Sequence, residues 1–171
     1  MTDFPTRKCL RLKGYDYSQN GAYFVTICTH DKAHLFGRIV GQGLCSCRLS
    51  PIGQLIEKEW HSLSDRYPNV RFEAFVVMPN HIHGIIVIDN KESPRQEQSP
   101  CPTVSLDSIL CAYKSITTKS CNRMDAVSGR KIWQYRYHDH IIRNAEDYSR
   151  IFEYINSNPA KWADDRYFAA S

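Results

Sequence analysis

Two histidines one residue apart, His81-Ile82-His83, are the first residues whose type and spacing suggest chemistry. On a strand, alternation puts both imidazoles on one face and Ile82 on the other, so two nitrogen donors stand side by side on a rigid support. Such a pair is half of a metal site and needs a third ligand. Tyr154 and Asn158 lie four residues apart, so on a helix they project from one flank in neighbouring turns, and the Asn158 amide is a candidate for that ligand. Pro159 follows and disfavours helical geometry at 158, which predicts that the helix ends there. The plain alternatives are two strand histidines without function, a boundary tyrosine and a helix-end asparagine, and the spacing leaves them open. A second pair, His138-x-His140, can approach the same place, but His81, His83 and Asn158 already make a set.

Seven cysteines make complete pairing within the chain impossible, there is no Cys-x-x-Cys, and Cys45-x-Cys47 stands without a second pair at zinc-site spacing. Reduced thiols in a reducing cytoplasm, several of them buried, are expected.

These groups need elements to hold them. Residues 21–29 are β-branched and aromatic and predict a strand; a loop follows through Phe36-Gly37 and the Gly41/Gly43 segment. Ser50-Pro51 opens a helix with Ile52, Leu55, Ile56, Trp60 and Leu63 on one face. Residues 72–78 and 81–88 predict two strands, and so short a link as Pro79-Asn80 makes them an antiparallel hairpin. Residues 89–104 form a polar, proline-bearing loop insert. From Ser105 a second helix aligns Leu106, Ile109, Leu110, Tyr113 and Ile116; residues 132–137 predict a fourth strand; a helix over 145–157 carries Tyr148, Ile151, Phe152 and Ile155 as its core stripe, with Tyr154 off its centre. Strand, helix, strand, strand, helix, strand, then an extra helix is the split β-α-β order of a ferredoxin-like (RRM-like) α+β domain. Its sheet is antiparallel with helices on one face, plus a C-terminal helix bearing Tyr154.

With 171 residues and 42% hydrophobic types, a single domain over 1–171 is expected, its core at about 15–163. No apolar run approaches the ~20 residues that span a bilayer, and Met1-Thr2-Asp3-Phe4-Pro5 lacks a signal-peptide pattern, so a cytoplasmic protein without a membrane partner is the expectation. A net charge of +4 permits an anionic partner without demanding one.

Met78-Pro79-Asn80-His81-Ile82-His83 resembles the His-hydrophobic-His motif of the HUH single-tyrosine transposases, and most of all the REP-associated tyrosine transposases of bacteria. Ile132-Trp133-Gln134 with Asp139-His140-Ile141-Ile142-Arg143, and Asp147-Tyr148 with Glu153-Tyr154-Ile155 and Asn158-Pro159, are similar to two further stretches of that family. The likeness covers roughly residues 15–163, with nothing matched over 30–50 and 89–104. It implies a ferredoxin-like domain in which His81 and His83 are the motif histidines, Tyr154 the nucleophile and Asn158 the third ligand of Mg²⁺ or Mn²⁺. The implied reaction cuts and rejoins single-stranded or hairpin DNA through a 5′-phosphotyrosine, by a monomer or a homodimer. Cations that would then neutralise phosphate are Arg7, Lys8, Arg11 and Lys13 near the N-terminus, Lys114 and Lys119 on the second helix, and Arg130, Lys131, Arg136 and Arg143 around the fourth strand; Tyr135 and Tyr137 would stack on bases. Two other readings compete. A non-catalytic single-stranded nucleic-acid-binding module leaves the histidine pair unexplained. A histidine-based nucleotide hydrolase would carry a third alternating histidine where Ile85 stands.

Overall fold

The computed structural model describes residues 12, 14–40, 47–90 and 104–168. β1 is Gly21–Cys28, and a short hairpin of β2 (Gly37–Ile39) and β3 (Cys47–Leu49) follows where a loop was expected. α1 (Pro51–His61) starts at Ser50, whose hydroxyl accepts the Gly53 N–H; it breaks at Ser62 into a single turn, α2 (Leu63–Arg66). β4 (Val70–Met78) and β5 (His81–Ile88) form the hairpin. α3 (Leu106–Met124) is opened by a reciprocal Ser105/Ser108 capping box, β6 is His138–Ile142, and α4 (Ala145–Ser157) is capped by Asn144.

The main sheet runs β4-β5-β1-β6, antiparallel throughout. That is the ferredoxin-like order: β5 lies between β1 and β4, so the β1-α1-β4 unit is split. Tyr23, Val25 and Ile27 of β1 and Ile82, Ile86 and Ile88 of β5 share one core with Ile56 and Trp60 of α1 and with Leu106, Ile109, Leu110 and Tyr113 of α3. Alternation sends Ile85 of β5 to the other face, where it packs with Ile142, Ile151 and Ile155. α1 and α3 therefore cover one face and α4 the opposite one, and His81 and His83 share the face of α4.

From behind, Trp60 sets the position of β5. Its indole stacks on Phe75 with ring centroids 4.4 Å apart and lies so close to Gly84 that a β-carbon there would meet the ring at 2.4 Å. The glycine next to the histidines is a packing requirement of the buried face.

Three expectations are corrected. The fourth strand is β6, beyond residues 132–137. Trp133 makes one bridge to Thr29, then buries its ring beside Phe36 and Tyr113 and donates Nε1–H to Thr117, which turns the chain away from the sheet. The α-helix of α4 ends at Ser157 as expected, but Asn158, its C-cap, does not leave helical geometry. That residue keeps helical angles (φ −57°, ψ −44°), and a 3-10 segment, Asn158–Asp164, continues from it. Pro159 sits in the first turn of that segment, where its missing N–H leaves no partner wanting, and burial of Asn158 outweighs the local preference. Finally, Phe152 is exposed: α4 buries Ile151 and Ile155, while Phe152 stacks outside on Tyr148.

Candidate active site

Sheet register builds the site. Cys28 of β1 pairs with His81 and Thr26 with His83; on the other side Thr26 pairs with His138 and Phe24 with His140. His83, Thr26 and His138 thus form one row across three strands on the face of α4. His81 and His83 are fully buried and their Nε2 atoms are 3.0 Å apart.

The outer ring nitrogens determine the protons. Asn80 donates its amide to the Tyr167 carbonyl (3.0 Å), which leaves its Oδ1 facing His81 Nδ1 at 2.8 Å. That oxygen can only accept, so Nδ1 carries the hydrogen and His81 Nε2 presents a lone pair. His83 Nδ1 meets the Thr26 hydroxyl at 2.8 Å. A hydroxyl donates or accepts, so His83 can hydrogen-bond through Nε2 to His81, or shift its proton to Nδ1 and present a second lone pair to the same point. Burial pushes both imidazoles below the ordinary histidine range, against the raising pull of Asp165 on His81.

The C-terminal segment closes the site. The Tyr154 hydroxyl lies 3.4 Å from His83 Nε2 and donates to Asp165 Oδ2 at 3.2 Å; Asn158 Nδ2 donates to the same oxygen at 2.9 Å. Asp165 Oδ1 accepts the Tyr167 N–H. One ligand atom each of His81, His83 and Asp165 falls within 4.8 Å of the others. Asn158 is buried and its Oδ1 has no partner, although burying an amide oxygen unpaired is costly. Two imidazole lone pairs, a carboxylate and an orphaned amide oxygen fit a divalent cation. Burial first, then the charge and hydrogen bond of Asp165, hold the Tyr154 phenol well above its ordinary range. Beside Tyr154 opens a cavity of about 430 Å³ bounded by Phe24, His138, His140, Arg150, Arg166 and Tyr167.

The fold brings together four residues read from sequence: His81, His83, Tyr154 and Asn158. Asp165 was missed; the Asp164-Asp165 pair lies beyond the last matched motif, and only chain reversal after the 3-10 segment returns it to Tyr154. Two expected phosphate contacts have internal partners instead. Lys114 donates to the carbonyls of Gln134 (2.6 Å) and Tyr135 (2.9 Å), and Arg130 pairs with Asp125 (2.7 Å) and donates to the Cys121 carbonyl. Tyr137 donates to Asp107 and packs against the core, whereas Tyr135 is 95% exposed. Lys119, Lys131, Arg136 and Arg143 are exposed; Arg7, Lys8, Arg11 and Lys13 lie outside the described residues. Cys28, Cys47, Cys111 and Cys121 are free thiols, two of them buried. Among the described residues, no helix is long and apolar enough to cross a membrane.

No protein-family model matches the chain. A Haemophilus influenzae protein described only as uncharacterized is 34% identical over 172 residues, spanning 95% of this chain and 93% of that protein. Among solved structures, a REP-associated tyrosine transposase bound to a REP hairpin superposes with a TM-score of 0.62 at 22% identity, covering 89% of this chain and 73% of that one; the likeness is one of fold. A putative transposase from Deinococcus radiodurans gives a TM-score of 0.48 at 12% identity, over 86% of this chain and 95% of that one.

Proposed function

Because the chain belongs to one family with the Haemophilus influenzae protein and has the fold of the hairpin-bound tyrosine transposase, we propose that it is a metal-dependent HUH transposase acting on single-stranded or hairpin DNA. The observation that carries this reading is the meeting of the Tyr154 hydroxyl on α4 with the paired histidines of β5, 3.4 Å from His83 Nε2 although 71 residues separate the two in sequence.

His81 and His83 would hold the ion through Nε2, with the orphaned Asn158 Oδ1 as the oxygen ligand and the Asp165 carboxylate alongside. Asn80 and Thr26 set the imidazole protons that this requires. A bound Mg²⁺ or Mn²⁺ supplies the positive charge that polarises the scissile phosphate. Tyr154 attacks phosphorus in line: its oxygen–phosphorus bond forms as the bond from phosphorus to the 3′ oxygen breaks. The phenolic proton passes to Asp165 Oδ2, already its hydrogen-bond acceptor, and the departing 3′ oxygen takes a proton from solvent. The 5′-phosphotyrosine conserves the energy of the phosphodiester, so a DNA 3′-hydroxyl can reverse the attack and join a new strand. Of the cations expected from sequence to meet phosphate, Lys119, Lys131, Arg136 and Arg143 are exposed and would be available to the DNA.

Mixing the protein with hairpin DNA carrying single-stranded flanks, with Mg²⁺ or Mn²⁺, should give a protein–DNA adduct that survives denaturing electrophoresis. Tyr154→Phe should abolish the adduct, and His81→Ala should abolish it while keeping DNA binding. Tight binding by wild type without any adduct would instead support the non-catalytic nucleic-acid-binding module.

A further inference from the structure

Two hollows flank the Tyr154 side chain. The first, of about 430 Å³, has Arg150 and Arg166 on its wall together with His83, His138 and His140; no carboxylate lines it among the described residues. The second, about 500 Å³, runs along the outer side of α4 past Asn156 and Ser157 to Lys161. Tyr154 and Arg150 belong to both, so the hollows meet at the hydroxyl-bearing ring. Arg166, Arg150 and Lys161 are all exposed; they stand at one hollow, at the junction and at the far hollow.

Asp147 pairs with Arg150 but leaves most of its side chain open to solvent, unlike the largely covered Arg130. The Arg150 side chain is 71% exposed, and one edge of its guanidinium is held by Asp147. Asp147 is only 14% exposed and also takes His140 Nε2 at 2.8 Å, so its charge is shared by two donors on the α4 side. Glu153 is the carboxylate on the second wall. Arg166 spreads over the Tyr167 ring, 5.6 Å from its centroid, which keeps the cation at the mouth of the first hollow. Sequence reading selected none of these three cations, because each lies on the C-terminal segment apart from any basic run.

We propose that a single DNA strand crosses Tyr154 from the first hollow to the second, its phosphates neutralised in turn by Arg166, Arg150 and Lys161. This rests on the transposase reading above and names the groove through which its substrate reaches the nucleophile. Phosphate neutralisation releases counterions, so each contact adds about 0.7 to the slope of log K against log salt for a single strand.

The test measures binding of the full-length protein to an oligothymidylate strand across a salt series. Arg150→Gln, Arg166→Gln and Lys161→Gln should each lower the slope by about 0.7 and the triple variant by about 2, with adduct yield on flanked hairpin DNA falling in parallel. Arg150→Lys should restore most of the slope, which a merely structural role for Arg150 would not produce. Lys58→Gln, on α1 of the other sheet face, should leave the slope unchanged. If wild type binds and forms adduct while the triple variant keeps its slope, the path is wrong and the transposase reading stands. If wild type neither binds nor forms adduct, the reading itself falls and the path with it.

Discussion

At the scale of single residues, the centre is a balance between a carboxylate and a phenol. Asp165 accepts hydrogen bonds from both Tyr154 and Asn158 through one oxygen. Its negative charge raises the phenol, after the larger effect of burial. Asp165→Asn should therefore lower the Tyr154 phenol toward the ordinary ~10, the burial contribution remaining; ultraviolet difference titration against Tyr154→Phe reads this directly. The same variant should weaken Mn²⁺ binding, measured calorimetrically, because a carboxylate near the histidine pair has become an amide. The histidines carry a second consequence. Both are held neutral by burial, below the ordinary ~6.5 that they regain on unfolding. As pH falls below about 6.5 the unfolded chain binds protons that the folded chain refuses, so their contribution to stability is present above that pH and lost as pH drops. Urea midpoints of the metal-free protein should fall from neutral pH toward pH 5, and less steeply in a His81→Gln/His83→Gln variant.

At the scale of elements, strand β5 is fixed from both sides. Trp60 presses on Gly84 from the α1 face while the histidines emerge on the other. Gly84→Ala puts a methyl where the indole lies, and neither ring nor strand can yield without disturbing the Trp60–Phe75 stack. We expect a loss of about 1–3 kcal/mol, seen as a lower thermal midpoint, together with weaker metal binding as β5 shifts. Most elements were legible in the chain because their signals are local. Ser50-Pro51, the alternating run from His81 and the stripe through Ile151 and Ile155 each name an element without outside help. The fourth strand was not, because Trp-Gln-Tyr-Arg-Tyr has strong β character that tertiary packing overrides. Trp133 is claimed by the core of α1 and α3, and the strand forms instead over His138–Ile142, whose alternation is hidden among polar residues.

At the scale of the whole molecule, legibility of the site divides in the same way. His81 with His83, and Tyr154 with Asn158, are each neighbours on one element, so spacing exposes them. Asp165 and Arg166 join them only through the return of the chain after the 3-10 segment, which no periodicity encodes, whereas Arg150 stands one turn before Tyr154 on α4 itself. The row His83–Thr26–His138 needs three strands in register before it exists. The large core lies between the sheet and helices α1 and α3, whereas α4 rests on the opposite face through a small cluster around Ile85, Ile142, Ile151 and Ile155.

That unequal division of the core separates chemistry from folding. The histidine half of the centre stands on a strand of the large core, and the tyrosine half on a helix held by a smaller cluster, four buried isoleucines with partly buried neighbours such as Phe24 and Val76, and by the Tyr148–Glu73 hydrogen bond. Local opening of so lightly held a segment costs less than global unfolding. Warming the protein would then dismantle the reaction centre while the sheet stayed intact, so inactivation and denaturation would be two events on one temperature axis.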